Sequence, residues 1–137
     1  MRYIFLISFI LKFSFCNSAY YESNSINTVS LSKIINLPDG SSYMTLDVKG
    51  AGTNNLGKYE LINCAGHRIS KDINLIEQDF YCNVEMSNDH FYTFFMKRSK
   101  TDTDAGVGYI IIAGGSKPFE KIRNKKCKYA VSFFEDQ

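Results

Sequence analysis

Two segments, Phe91–Arg98 and Val107–Ala113, carry apolar side chains at consecutive positions and not only at every second one. Tyr92, Phe94 and Met96 oppose Phe91 and Phe95, while Ile110 and Ile112 oppose Tyr109 and Ile111. Successive strand residues point to opposite faces, so strands of this kind belong in the middle of a sheet covered on both sides. Any fold of this chain must therefore supply two covers. A helix can provide one, and the other has to come from an arm, a loop or another chain.

The remaining elements are read around that constraint. Tyr43–Val48 alternates Met44, Leu46 and Val48 against Thr45 and Asp47, which is a half-buried strand. A loop over Gly50–Gly57 leads to a second strand from Lys58 to about Cys64. Pro38-Asp39-Gly40-Ser41 and Ser87-Asn88-Asp89-His90 are turn clusters, and Lys128–Phe134 reads as a last strand. In Ile69–Val84 two periods compete. Ile76, Phe80, Cys82 and Val84 alternate with Gln78 as the misfit, whereas Ile69, Ile73, Ile76, Phe80 and Val84 stack on one helical face. Ser70 is placed to cap such a helix, and Asp72 falls in its first turn. The helical template predicts a helix near Ser70–Asn83. The fold class expected is then α+β, with one helix packed across an antiparallel sheet. The polar residues 20–42 read as a loosely attached arm and 43–137 as the domain.

The first nineteen residues have a different character. Met1-Arg2, a mainly apolar run over Tyr3–Phe15 and the small residues Cys16, Ser18 and Ala19 have the build of a secretory signal peptide. The run is shorter than the roughly 20 apolar residues of a membrane span, so a soluble, secreted product is expected. Of the 16 basic residues two, Arg2 and Lys12, lie in this leader, leaving 14 against 14 acidic ones. A globally basic nucleic-acid footprint is thus absent. Export implies an oxidising compartment in which cysteines tend to pair, and Cys64, Cys82 and Cys127 remain after processing. An odd number leaves one unpaired or shared with another chain.

The order of a secretory leader, Tyr59-Glu60-Leu61-Ile62-Asn63-Cys64-Ala65-Gly66, then Ile69-Ser70 opening a helix with Ile73 and a late Cys82, and finally a meander with Cys127, resembles the secreted ribonuclease-like effectors of powdery-mildew fungi. These are similar to the fungal guanyl-specific ribonucleases. The resemblance implies a ribonuclease-like α+β fold over about residues 59–134, secretion, and a virulence role inside or beside a plant host cell. It also implies that a cysteine in the last strand region pairs with the first, joining Cys64 to Cys127. The helical reading agrees, because it carries Cys82 about 18 Å along the axis from the helix start, beyond the roughly 7 Å between alpha carbons that a bridge allows. The strand reading predicts otherwise: a hairpin centred near Ile73 sets Cys64 opposite Cys82.

Ribonuclease chemistry needs a base, an acid and a cation for the phosphate at one site. Phe91–Met96 and Val107–Ala113 contain no histidine, carboxylate or arginine. His67 and His90 fall in separate segments, and only Lys97 and Arg98 at a strand end could serve a phosphate. A catalytically inactive chain is expected. Arg98, Lys117, Lys121, Arg123, Lys125 and Lys126, extended by Lys128, form a basic cluster that could hold RNA phosphates or a partner, with solvated loop lysines as the plain reading. Cys64 and His67 have C-x-x-H spacing but lack the four ligands of structural zinc. Asp102 and Asp104 do not complete a calcium loop. Gly106, Gly108 and Gly114-Gly115 read as strand bends and tight turns, since no helix follows them. No metal or cofactor is expected. The function expected is a secreted, inactive ribonuclease-like effector that binds a host protein or RNA. An active secreted nuclease and a secreted ligand-binding β-barrel are the alternatives. Intact mass of the exported protein should show Met1 to about Ala19 removed; a product that retains Met1 refutes the leader.

Overall fold

A computed structural model describes residues 20–102 and 105–132. The leader, Asp104 of the acidic pair and Phe133–Phe134 at the end of the expected last strand lie outside the described residues. Seven antiparallel strands follow one another as a meander: β1 (Ser23–Asn36), β2 (Ser42–Asn54), β3 (Tyr59–Lys71), β4 (Asn74–Met86), β5 (His90–Asp102), β6 (Ala105–Gly115) and β7 (Lys126–Ser132). Spatial order equals chain order, so every ladder joins neighbours through a short connection. Among the described residues the one helical piece is a four-residue 3-10 turn, Phe119–Ile122. None of their helices is long and apolar enough to cross a membrane.

The expected α+β class is therefore wrong, and so is the helix near Ser70–Asn83. That segment is the end of β3, a two-residue turn at Asp72-Ile73 and β4. The helical spacing was carried by two isoleucines that do not belong to the core. Ile73 is 70% exposed in the turn, and Ile76, 43% exposed, is the extra residue where the β3–β4 register shifts, whereas Leu75 is 2% exposed. Beyond that bulge the buried residues alternate strictly as Gln78, Phe80, Cys82, Val84 and Met86. Gln78, the apparent misfit, is a buried polar residue on the inner face.

The arm is corrected as well, because residues 23–36 form the edge strand β1 in ladder with β2. The second strand does not stop at Val48 but runs through the expected loop to Asn54, and the third continues past Cys64 to Lys71. Both turn clusters do fall between strands, apart from His90, which opens β5. Asp39 accepts from the backbone N–H and hydroxyl of Ser41 at 3.0 and 2.6 Å, which holds its carboxyl below the usual range. Asn88 and Asp89 take positive φ between β4 and β5, a conformation that asparagine and aspartate tolerate best after glycine. Gly108 lies inside β6, where a Cβ would come within 2.6 Å of the Tyr129 ring and the Lys97 carbonyl.

Even-numbered residues of β2, β3 and the outer part of β4 share one face with Tyr92, Phe94, Ile110 and Ile112, and this face holds the core. Tyr21, just before β1, packs edge-on to Phe119, just after β6, with ring centroids 5.5 Å apart. In a flat sheet strands lie about 4.8 Å apart, so β1 and β6 would be separated by about 24 Å. The sheet is therefore curled around the core face. Tyr21 also meets Tyr92 edge-on at 5.8 Å, and Tyr92 stacks on Phe119 at 4.5 Å.

Below these rings the carboxylate of Glu60 is wholly buried and accepts hydrogen bonds from Tyr21, Ser23 and, at 2.9 Å, the Asn54 amide. Burial pushes the Tyr92 phenol up to about 12, with the Glu60 charge adding to it. Burial and the hydrogen bond to Glu60 raise Tyr21 further. Both groups hold their protons more tightly folded than unfolded, where a tyrosine titrates near 10. Their contribution is thus present below about pH 10 and is lost as pH rises from 10 toward 12. Denaturant midpoints should fall over that window, and less steeply in Tyr92→Phe.

Cys64 and Cys82 face each other in the β3–β4 ladder and form a disulfide, with alpha carbons 4.0 Å apart, while Cys127 is free and exposed on β7. This corrects the expected Cys64–Cys127 bridge. The hairpin supplies the doubling back that a helix could not. Non-reducing peptide mapping should recover Cys64 linked to Cys82, and native alkylation should label Cys127. Cys64→Ser/Cys82→Ser should lose about 3 kcal/mol in denaturant unfolding, the loop-closure value for a separation of this size.

Candidate functional site

The disulfide fixes the register of β3 against β4, and three residues along from it His67 lies opposite Asp79. Asp79 is in turn opposite Lys97, and Lys97 opposite Tyr109, so one row crosses four strands on the convex face. The Lys97 ammonium lies 3.2 Å from Glu77 Oε1 and 3.6 Å from Asp79 Oδ2. Its hydrogen bond to Glu77 and the charge of Asp79 hold its proton more tightly than in a free lysine. The Tyr43 ring stacks on the His67 imidazole at 5.3 Å. Asp79 Oδ1 is buried without a hydrogen-bond partner.

Ligand atoms of His67, Glu77 and Asp79 come within 4.8 Å of one another. One imidazole and two carboxylates would suit a divalent metal. Lys97 already bridges both carboxylates as an internal cation, so a metal ion would have to displace it. The same row holds the histidine, carboxylate and ammonium that phosphodiester chemistry uses. It does so on the outside of a curled sheet, whereas reaction sites are concave. A groove of about 540 Å³ beside it, over β1–β3, is lined by residues including Asp47, Lys49 and Asn63. Sequence reasoning missed this row because it put Glu77 and Asp79 on a helix and His67 ahead of it. The signal that could have found it is the alternation in β4 together with a turn at Asp72-Ile73.

The adjacent convex row runs from Asp47 through Ala65, Tyr81, Phe95 and Ile111 to Lys126. Tyr81 is 71% exposed and its ring leans on Phe95 at 5.0 Å. Leu61 and Phe91, both exposed, flank Glu85 four residues further along the strands, beyond a row of Asn63, Asn83 and Thr93. The Lys126 ammonium sits 3.7 Å over the Tyr109 ring. These are the outward halves of the two-faced strands. Within the described residues nothing is layered over them but their own neighbours and the stems of lysines.

The expected basic cluster is divided. Lys117, Lys121, Arg123 and Lys125 are exposed on the connection from β6 to β7, and Lys126 and Lys128 are exposed on β7. Arg98 does not join them. It is 1% exposed on the core face, opposite Gln78, which itself pairs with Arg68. The two histidines stay apart: His90 opens β5 and its Nδ1 lies 3.3 Å from Ser116 Oγ, while His67 is mid-strand in β3. No family model, no curated protein and no solved structure matches this chain.

Proposed function

We propose that this chain is an exported, non-enzymatic protein-binding module whose contact surface is the convex face around Tyr81, Phe95, Leu61 and Phe91. The observation that carries the reading is the uncovered outer half of β5 and its neighbours. Single exposed apolar residues are ordinary, but Tyr81 leaning on Phe95, with Leu61 and Phe91 on the same face and polar and charged residues among them, has the mixed aromatic and polar composition of a protein interface. The leader sequence and the disulfide agree with export. That the partner is a host protein rests on the resemblance around Tyr59–Gly66, whose implied α+β fold is not the one observed. RNA is the weaker partner. Bases could stack on Tyr81, but Lys97 is neutralised by Glu77 and Asp79, and Asp47 and Glu85 share the face.

The test is capture from host extract with the mature chain, Tyr81→Ser/Leu61→Ser, and Lys121→Ala/Arg123→Ala/Lys125→Ala. The first variant should lose a partner retained by the natural sequence, by about 30-fold or more, since truncating an interface anchor costs about 2 kcal/mol or more. Its melting curve should stay in place, because both side chains are exposed. The basic-loop variant should bind normally. Loss of binding in the basic-loop variant alone would replace the convex face with the lysine connection. RNA cleavage that disappears in His67→Ala would replace binding with catalysis.

A further inference from the structure

We infer that β1 is a homodimerisation edge, along which two copies of this chain pair antiparallel to make one continuous sheet. The inference goes beyond the convex contact face and uses none of its residues. Among the described residues β1 is hydrogen-bonded to β2 on one side only, and nearly all of its fourteen residues are exposed. An open edge of that length is a template for another strand unless it is guarded by charge, proline or a bulge. Ser23–Ser32 has no charged residue and no proline, and the first guards, Lys33 and the register shift between Leu31 and Lys33, come only after it. The opposite edge, β7, is half as long and carries Lys126 and Lys128. One edge is blunted and the other is not.

The inner side of β1 adds a second reason. Leu46 of β2 is buried, but its ladder partner Leu31 is half exposed, as are Val29 and Ile34 on the same face. Among the described residues these apolar groups lie at the rim of the core with no strand beyond them.

A second copy is the occupant that fits. Pairing β1 with itself about a two-fold axis sets like faces together, and a charge-free stretch meets itself without repulsion. Self-pairing of β7 would bring its lysines against their own copies. A two-fold near Asn27 gives an uninterrupted ladder over Ser23–Leu31, with Val29 opposite Ser25 of the other copy and Ile26 opposite Thr28. A ladder of that length makes about nine main-chain hydrogen bonds, the number of direct bonds in a typical stable interface. Such an isologous contact closes at two copies. An axis perpendicular to the sheet leaves both convex faces on the same side.

Sedimentation equilibrium of the mature chain should give the dimer mass at about 100 µM, a level that populates even a modest strand contact. Backbone amides of Ser23–Leu31 should gain hydrogen-exchange protection as concentration rises. Thr28→Lys, an exposed change that places like charges near each other across the two-fold, should weaken association at least tenfold while circular dichroism and melting stay unchanged. Should that variant misfold, the concentration-dependent protection of β1 in the natural sequence decides alone. Tyr81→Ser/Leu61→Ser should still dimerise, so failure of the convex contact face and failure of the β1 edge are read separately. A monomer at every concentration refutes the inference. So does a dimer that survives Thr28→Lys without β1 protection, one that is lost in Cys127→Ser, or growth into filaments, which is the signature of β1 pairing with β7.

Discussion

The curl of the sheet depends on a carboxylate buried among donors at one end of it. Glu60 on β3 receives hydrogen bonds from Tyr21 and Ser23 at the start of the chain and from Asn54 on β2, and the Tyr21 ring then reaches Tyr92 and Phe119. A buried carboxylate is costly unless its lone pairs are satisfied, so the N-terminal segment has one low-energy place to sit. Placing it there draws the β1 side of the meander across the core face toward the connection between β6 and β7.

Curling solves only half of the covering problem set by the two-faced strands. It wraps Tyr92, Phe94, Met96, Ile110 and Ile112 around a common core with Phe80, Val84 and Ile62. The same operation turns Phe91, Phe95, Tyr109 and Ile111 outward. A helix across the sheet would have covered one face of β5 and β6. Among the described residues the segment that looked helical is used as a strand pair instead. Among the described residues the outer face is then left to side-chain stacking and to lysine stems.

The disulfide has the corresponding role within the sheet. It ties β3 to β4 at a directly opposed pair, and a one-residue slip of that ladder would send Phe80 and Val84 outward. It also places His67 beside Asp79, and β5 pairing adds Lys97. The polar row and the aromatic row on the convex face are thus consequences of one register.

By itself the sequence was enough to show the strands around Met44–Val48, Phe91–Arg98 and Val107–Ala113 and the turns at Pro38–Ser41 and Ser87–Asp89, since these are local patterns of alternation, apolar runs and turn chemistry. It also contained the strand reading of Ile69–Val84, with Cys64 opposite Cys82, as the lesser of two periods. Tertiary structure decided between them. Ile73 and Ile76 count equally with Phe80 in a pattern of apolar residues, and only pairing with β3 reveals that one lies in a turn and the other at a bulge. Tyr20–Leu37 looked like an arm because an edge strand buries little and so shows no strong alternation, its place in the sheet resting on main-chain bonds to β2. The burial of Arg98, the partners of Glu60 and the meeting of His67, Asp79 and Lys97 lay beyond the sequence for the same reason. Each depends on which residues stand opposite one another across strands, and that register is a property of the assembled sheet.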